Sequence, residues 1–570
     1  MKGLVSINNM IIKVIITNTM KNLIAIISVF LALNVSGQDF QEYMKVYGGV
    51  DYGNPFTAKV VPDGPVTYRN PILSGMYPDP SICRAGEDYY MVTSTFEYFP
   101  GVPVFYSKDL VNWQQIGHCI ERKDQLPKGM NIFAPTISYH DGTFYMITTS
   151  MGGDVGNFYV TAKDPAGPWS DPVWVDVKGI DPSLFFDDDG KSYVISQAFI
   201  VKEIDLKTGK ILDEGRKVWC GTGQDATEGP HIYKKDGYYY LMAAEGGTHL
   251  CHRESIARAH SIWGPYTDNP ANPILTHANA AGASSVFKGV GHADIVQAHD
   301  ESYWAVCHGF RSVGFDAHHI LGRETYLVPV MWPTNGWPVV NGNGTVSEKM
   351  YCPTLPLKPF PEKPSKTEFN EKVLDLEWNY IQAPVTGSYS FNAKQGYLSL
   401  KGTSLNLGEE GSPTFVGRRL QDLYFKAATK VEFEPRNDNE EAGLVLLNNS
   451  SHFGLMIKQQ NGKRYLVAEL KFGSVIHKSE EVELKNGAVN LKIEGSRSTY
   501  KFFYAQGNDN YVELQRIESK FLSSETAGGF TGTYVGMYAT GNDNDSVSWA
   551  NYDWFEYEPT EAPAGQFFPF

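Results

Sequence analysis

Motifs that bind metals or phosphates are missing from this 570-residue sequence. Its six cysteines are scattered without a C-x-x-C pair, which excludes a zinc site of that kind and a dense disulfide framework. The sequence also contains no H-E-x-x-H motif, no phosphate-binding loop and no carboxylate loop of the EF-hand type. We therefore expect that the protein requires no cofactor.

Positive charge is scarce as well. Lysine and arginine number 49 against 64 aspartates and glutamates, so the formal net charge is −15, and no basic stripe offsets it. This balance excludes nucleic acid as a partner and favours a neutral substrate. Aromatic residues (13%), glycine (55) and proline (32) are plentiful, which suits a β-rich chain with many turns and with surfaces on which sugars stack.

The apolar run over residues 23–35 is too short for a transmembrane helix. Lys21 precedes it, and Ser36 and Gly37 follow it, which is the pattern of an export signal that starts at Met20 and is cleaved near Gly37. No cysteine stands at the cleavage point, so we expect no lipoprotein or other membrane anchor. The sequence thus predicts a signal peptide over residues 1–37, a lead-in over 38–65, and a periplasmic or secreted protein.

Five segments share one pattern: a leading residue, an apolar strand, a polar turn and an aromatic-rich strand. They are DPSICRAGEDYYMVTS (79–94), APTISYHDGTFYMITT (134–149), DPSLFFDDDGKSYVIS (181–196), EGPHIYKKDGYYYLMA (228–243) and HADIVQAHDESYWAVC (292–307). An aromatic residue follows each leading residue by 11 or 12 positions. A small antiparallel unit that recurs along the chain is typical of a β-propeller, in which each repeat forms one blade. Five repeats therefore predict five blades.

The leading residues are expected to converge, because the innermost strand of each blade runs along the central channel of a propeller. They are Asp79, Ala134, Asp181, Glu228 and His292. Asp79 lies between two prolines in GMYPDPSI, which stiffens the backbone that carries it. The alternative is that these carboxylates merely cap turns or pair with surface arginines. Three carboxylates and a histidine in one register favour a functional ring.

The sequence also predicts where the domains begin and end. We assign residues 66–352 to the propeller and the proline-rich stretch 353–367 to a linker. Residues 368–559 contain alternating strands with no long helical segment, which predicts an all-β fold with a second, C-terminal β-sandwich. Residues 560–570 form a tail.

The three acidic members of the ring fit the hydrolysis of a glycosidic bond. This reaction needs a proton for the leaving oxygen and a base or nucleophile, which two carboxyl groups with separated pKa values supply. Asp79 suits the base, the longer Glu228 suits the acid, and Asp181 could orient that acid and raise its pKa by like-charge repulsion.

Several stretches resemble family 43 glycoside hydrolases, and more narrowly the two-domain branch of β-xylosidases and α-L-arabinofuranosidases. They include YPDPSI, STFEYFPGVPVFYSKDLVNW, IDPSLFFDDDGKSYV, ATEGPHIYKKDGYYYLMAAEGGT, VGHADIV and LGRETYLVPV, and after the linker FVGRRLQDLYFKAATKVEFEP and GGFTGTYVGMYATG. The resemblance implies a concanavalin-like sandwich. It also implies Asp79 as general base, Asp181 as pKa modulator and Glu228 as general acid of an exo-acting, inverting enzyme.

The same resemblance implies further site residues, each with a simpler alternative. Arg323 would contact substrate hydroxyls, or form an ordinary salt bridge. His292 would steady a catalytic carboxylate or hold a structural calcium ion through water, or be a core histidine. Phe96 and Phe530 would line the sugar pocket, or pack in the core, and Thr248 is a weaker candidate for substrate binding.

Phe133 departs from the family pattern, since many β-xylosidases of this branch have tryptophan at that position. This smaller platform fits an arabinofuranosyl ring as well as a xylosyl ring. We expect release of terminal pentoses from xylan or arabinoxylan oligosaccharides. A non-catalytic carbohydrate-binding propeller and an endo-arabinanase are the alternatives, and the sequence leaves an oligomer open.

Overall fold

The computed structural model describes residues 67–562 except for residues 280, 281, 284, 315, 316, 352–354 and 508. The predicted signal peptide, the lead-in and residues 563–570 of the tail lie outside the described residues. Within the described part, strands dominate, and the helical elements are a 3-10 turn (Ser519–Leu522) and a short helix α1 (Ser524–Ala527). No helix in this part is long and apolar enough to cross a bilayer.

Five antiparallel sheets form the blades of the predicted propeller. Blade 1 contains β2 (Ser81–Ala85), β3 (Asp88–Val92), β5 (Gly101–Ser107) and β6 (Gln114–Ile120), and blade 2 contains β7 (Thr136–His140), β8 (Thr143–Ser150), β9 (Gly156–Ala162) and β10 (Val173–Val175). Blade 3 contains β11 (Ser183–Phe186), β12 (Ser192–Ile195), β13 (Ile200–Asp205), β14 (Lys210–Ile211) and β15 (Arg216–Lys217). Blade 4 contains β16 (Glu228–Lys235), β17 (Tyr238–Glu245), β18 (Arg253–Ala259), β19 (Thr267–Asp268) and β20 (Leu275–Thr276). Blade 5 contains β21 (Phe287–Gln297), β22 (Tyr303–Arg311), β23 (Glu324–Met331) and β24 (Val339–Val340).

The two ends of the propeller are joined by a small sheet. In it, β1 (Thr67–Arg69) pairs antiparallel with β25 (Lys349–Tyr351). The Asn70 side-chain amide donates to the Leu327 carbonyl of blade 5 at 2.9 Å. These contacts hold the start of the propeller against its last blade and so close the ring.

Local sequence explains the central hairpin in two of the repeats. The turns of blades 2 and 4 contain Asp141–Gly142 and Asp236–Gly237, whose φ angles are 47° and 69°, and 50° and 77°. Two successive left-handed residues are typical of the type I′ turn, whose twist matches that of the flanking strands. Asp-Gly is among the pairs that adopt it most readily. The turn chemistry therefore fixes the register of the two inner strands.

A second backbone feature aims the leading residues at the axis. Asp79, Asp181 and His292 have φ angles of 53°, 54° and 50°, a left-handed conformation that costs a non-glycine residue about 1–2 kcal/mol. In blade 4 the bend falls one residue later, at Gly229, with φ 57°. A left-handed residue thus recurs at or next to the polar leading residue of four blades.

The C-terminal domain is the predicted sandwich of two antiparallel sheets. One sheet contains β26 (Lys366–Glu368), β28 (Tyr389–Ser390), β29 (Leu398–Leu400), β31 (Phe425–Glu432), β37 (Val489–Gly495), β38 (Thr499–Gln506), β39 (Val512–Glu518) and β41 (Ala550–Pro559). The other contains β27 (Asn379–Ile381), β30 (Thr414–Arg419), β32 (Glu441–Asn448), β33 (Ser451–Gln460), β34 (Lys463–Phe472), β35 (Val475–Lys478), β36 (Val482–Glu483), β40 (Tyr534–Thr540) and a strand from the propeller, β4 (Tyr98–Phe99). Fully buried aliphatic residues such as Leu444, Leu455 and Leu491 fill the space between the sheets.

The strand β4 makes the two domains parts of one sheet. Tyr98 and Phe99 pair with Ile381 and Tyr380 of β27. The Tyr98 ring stacks on Tyr534 with a centroid distance of 3.8 Å. Because the backbone ladder and an apolar cluster both cross the boundary, the sandwich is held in a fixed place beside the open end of the propeller.

Buried Arg419 strengthens this junction from the sandwich side. Its Nε donates to the Met76 carbonyl at 2.7 Å, three residues before Asp79. Its guanidinium also lies 4.6 Å from the Tyr77 ring centroid. The sandwich therefore supports the segment that carries the first carboxylate of the ring.

Candidate active site

The structure brings the four polar leading residues together at the axis. Ligating atoms of Asp181, Glu228 and His292 all lie within 4.8 Å of one another, and so do those of Asp79, His292 and His308. His292 belongs to both sets, so it lies between Asp79 and the other two carboxyl groups. Ala134, the fifth leading residue, is buried as well.

Asp79 is a buried carboxylate with strong hydrogen-bond partners. Its Oδ1 accepts from Arg323 Nη1 at 2.6 Å, and its Oδ2 accepts from Ser94 Oγ at 2.6 Å. Burial on its own would raise the pKa of Asp79, but the Arg323 charge, together with the His308 and His292 rings, holds it well below the usual carboxyl range. Asp79 is therefore ionised at neutral pH.

The other two carboxyl groups have the opposite tendency. Burial, and next the negative charge of Asp79, raise the pKa of Glu228 to about 7. Burial, followed by the charges of Glu228 and Asp79, raises the pKa of Asp181 well above its usual value. The pair therefore retains a proton near neutral pH, opposite an ionised Asp79.

The two shifts bear on the expected role of Asp181. We expected Asp181 to raise the pKa of Glu228 by like-charge repulsion. Burial and the Asp79 charge raise the pKa of both groups, and the repulsion between Asp181 and Glu228 raises the pKa of Asp181. The modulation of Glu228 by Asp181 stays a prediction.

His292 is a neutral ring packed among the carboxyl groups. Burial lowers its pKa to about 3. Its Nδ1 lies 3.9 Å from Asp79 Oδ1 and has no hydrogen-bond partner among the described residues. A Cβ at Gly229 would lie 2.9 Å from the His292 ring, so glycine after Glu228 is what allows this close packing.

Neither set of potential ligands suits direct calcium binding. Calcium prefers six to eight oxygen ligands. The first set offers two imidazoles and a carboxylate already bonded to Arg323, and the second offers two carboxyl groups that tend to be protonated and an imidazole. A calcium ion would therefore have to contact His292 through water.

Three phenylalanines form an aromatic mouth above the ring. Phe96 stacks on Phe530 at a centroid distance of 6.0 Å, and Phe133 meets both rings edge-on. Phe96 is only 3% exposed, whereas Phe530, supplied by the sandwich, is 49% exposed. The Arg323 guanidinium lies 5.7 Å from the Phe96 centroid and 5.9 Å from that of Phe530. The aromatic mouth therefore places the apolar faces of phenylalanine side chains next to charged and polar groups.

Two residues in contact with Asp79 were missed in the sequence: Ser94 and His308. Both lie where the second strand of a repeat returns to the channel, in blades 1 and 5. Thr248, a predicted binding residue, is linked to the leading residues by His308. Its Oγ1 lies 3.3 Å from His308 Nε2. The available signal was the antiparallel hairpin itself, because its second strand ends beside the start of the first.

An all-β propeller that holds three carboxyl groups of opposed ionisation, with a concanavalin-like sandwich beside it, is a glycosidase architecture. Two family descriptions match the chain: Glycosyl hydrolases family 43 over residues 68–338 and the Beta xylosidase C-terminal Concanavalin A-like domain over residues 366–558. The chain belongs to glycosyl hydrolases family 43.

Several relatives resemble the chain over nearly their whole length. The non-reducing end alpha-L-arabinofuranosidase BoGH43B of Bacteroides ovatus is 45% identical over 86% of this chain and 94% of its own. The beta-xylosidase of Bacillus subtilis is 34% identical over 86% of this chain and 99% of its own. Among solved structures, Bacteroides ovatus Xyloglucan PUL GH43B has 43% identity and a TM-score of 0.83, covering 87% of this chain and 100% of its own. Xylan beta-1,4-xylosidase from Bacillus halodurans has 33% identity and a TM-score of 0.82, covering 86% of this chain and 100% of its own.

The raised pKa of Glu228 predicts a pH-dependent gain in stability for Glu228→Gln. The folded protein binds more protons at this site than the unfolded chain between pH 4.5, the ordinary value, and about 7, so the wild type loses stability as pH rises through that window. The variant has no charge to bury. Above pH 7 its free energy of unfolding should exceed that of the wild type by about 3 kcal/mol, and the difference should vanish below pH 4.5.

Thermal unfolding of both proteins from pH 4 to pH 8.5 tests this expectation. The control is Glu214→Gln, which makes the same chemical change at an exposed site and should leave Tm unchanged at every pH. A difference in Tm between Glu228→Gln and wild type that is the same at pH 4 and pH 8.5 would contradict the electrostatic account.

Proposed function

We propose that this protein is an exo-acting, inverting glycoside hydrolase that releases terminal pentoses from xylan or arabinoxylan oligosaccharides, with α-L-arabinofuranosidase as its main activity and β-xylosidase as its second. The observation that carries the proposal is the opposed ionisation of the ring: Asp79 is held charged by Arg323, while Glu228 and Asp181 hold a proton. A single-displacement hydrolase needs one group in each state at the same pH.

In this proposal Asp79 is the general base and Glu228 the general acid. Asp79 removes a proton from a water molecule as the water oxygen attacks the anomeric carbon. The bond from that carbon to the glycosidic oxygen breaks on the opposite side, and Glu228 donates its proton to the departing oxygen. Asp181, within 4.8 Å of Glu228, orients the acid and helps to keep a proton on the pair.

The two alternatives fit the site less well. A non-catalytic binding propeller has no need for a buried, ionised carboxylate opposite a protonated pair, whose burial is costly. An endo-arabinanase requires an open cleft on both sides of the scissile bond. Here Phe530 of the sandwich extends over the mouth and meets Phe96 and Phe133, which supports a closed site that accepts only a chain end.

The choice of sugar rests on the relatives and on Phe133. The relative with 45% identity is named as an arabinofuranosidase that acts at the non-reducing end, and the relative named as a beta-xylosidase has 34%. Half-buried Phe133 offers a smaller platform than the tryptophan expected of a xylosidase. Both observations favour an arabinofuranosyl ring at the mouth, with xylosyl as the second substrate.

We further propose that the protein is exported and that it requires no cofactor. The first proposal rests on the sequence of residues 1–37 alone. The second rests on the mechanism, because the attacking water is activated by Asp79 and the leaving oxygen is protonated by Glu228. A calcium ion held through water at His292 would have a structural or electrostatic role.

The proposed roles predict different leaving-group effects for two variants. Glu228→Gln should lose about 100-fold or more in kcat/KM on unactivated oligosaccharides and much less on aryl glycosides, because a good leaving group needs little protonation. Asp79→Asn should lose activity on both kinds of substrate to a similar degree, since water must be activated in either case. Steady-state kinetics over a series of aryl pentosides measures this. Near-normal rates for Asp79→Asn would show that Asp79 is not the base.

The proposed sugar preference predicts the ratio of two activities. The wild type should have a kcat/KM at least about tenfold higher on 4-nitrophenyl α-L-arabinofuranoside than on 4-nitrophenyl β-D-xylopyranoside. Phe133→Trp should move this ratio towards the xyloside. Oligosaccharides of arabinoxylan and xyloglucan, analysed for released monosaccharides, then identify the natural chain. A wild-type preference for the xyloside would reverse the assignment of main and second activity.

A further inference from the structure

A second ring of residues lies behind the leading residues. It follows from the repeat: 15 or 16 positions after each leading residue, the second inner strand returns to the mouth of the channel. The five residues at that position are Ser94, Thr149, Gln197, Ala244 and His308. Their backbones pair with the chain around the leading residues, as in Ser94 with Pro78 and Gln197 with Ile180. This second ring is therefore a repeated structural position.

Two members of the second ring make the same contact with the next blade. Thr149 of blade 2 accepts a hydrogen bond at Oγ1 from the backbone amide of Asp181, the leading residue of blade 3, at 3.1 Å. His308 of blade 5 accepts one at Nδ1 from the backbone amide of Asp79, the leading residue of blade 1, also at 3.1 Å. Both amides belong to left-handed residues, with φ angles of 54° and 53°. The equivalent contact thus supports both aspartates of the ring at their strained backbone.

The surroundings of His308 fix the position of its ring. The ring is fully buried between His252 and His292, with centroid distances of 5.0 and 5.5 Å and nearly parallel planes. Nδ1 lies 3.1 Å from the Asp79 amide nitrogen and 3.0 Å from Asp79 Oδ1, so one ring nitrogen contacts both the backbone and the carboxylate of that residue. On the other side of the ring, Nε2 lies 3.3 Å from Thr248 Oγ1. Neither the mechanism nor the proposed sugar contacts use His308.

We propose that His308 is a positioning residue for Asp79: its Nδ1, which contacts both the amide and the carboxylate of Asp79, fixes the left-handed backbone and aims the carboxylate at the water-binding position. The proposal rests on the proposed function, in which Asp79 is the general base. His308 itself exchanges no proton with substrate. Its effect is on where the carboxylate lies, which matters because a displacement of about 1 Å in a reacting group can cost 100-fold in rate.

Three substitutions separate positioning from packing. His308→Asn keeps a hydrogen-bonding group close to the former Nδ1, His308→Gln moves that group towards the former Nε2, and His308→Leu removes it. We expect kcat to fall about 100-fold in the Leu and Gln variants and to recover at least about tenfold in the Asn variant. KM should change less than about threefold, and the loss should be equal for aryl pentosides with good and poor leaving groups, because the base and not the acid is displaced.

His260→Leu is the matched control, since it removes an exposed histidine of blade 4 and should leave kcat unchanged. If His308→Leu does not fold, the Asn and Gln variants still decide the matter. Equal rates for His308→Asn and His308→Gln, or a loss confined to KM, would overturn the proposal. If Asp79→Asn remains active, the proposed function fails; if it is inactive and His308→Leu is normal, only this inference fails.

Discussion

The opposed ionisation of the carboxyl groups depends on the ion pair between Asp79 and Arg323. Its Nη1–Oδ1 distance is 2.6 Å, and both side chains are almost fully buried. A buried carboxylate without a partner would take up a proton, so the arginine is what keeps Asp79 charged. That charge, added to burial, raises the pKa of Glu228 to about 7. One ion pair therefore separates a base from an acid in a ring of three carboxyl groups.

The same arginine links the chemistry to the second domain. Gly322 precedes Arg323 and has φ 83°, and a Cβ at this glycine would lie 2.9 Å from Gly532 Cα in the sandwich. Only glycine on both sides permits so close an approach of two backbones. This close approach of the two backbones brings the loop that carries Phe530 over Arg323, so that the Phe530 carbonyl oxygen lies 3.5 Å from Arg323 Nη2. The sandwich thus completes the mouth of a site whose charged groups belong to the propeller.

Sequence reasoning predicted the features that repeat and missed those that arise between blades. Five matching hairpins were enough to predict the propeller and to align Asp79, Asp181 and Glu228, because strand periodicity and Asp-Gly turns are local properties. The contact of β4 with the sandwich and the anchoring of Asp79 by His308 depend on distances across the fold. His308 is separated from Asp79 by 229 residues. No local pattern marks that contact, although the spacing from His292 to His308 points to it once the blades are closed into a ring.

The central claim is that an ionised Asp79 activates water directly while Glu228 protonates the leaving oxygen. Proton NMR of the first sugar released from an aryl α-L-arabinofuranoside, recorded before mutarotation, tests it most directly. A single displacement predicts that the β-anomer of arabinofuranose appears first, with the α-anomer growing in later. Initial release of the α-anomer would mean net retention, and with it a covalent intermediate that contradicts the assignment of Asp79 as a base.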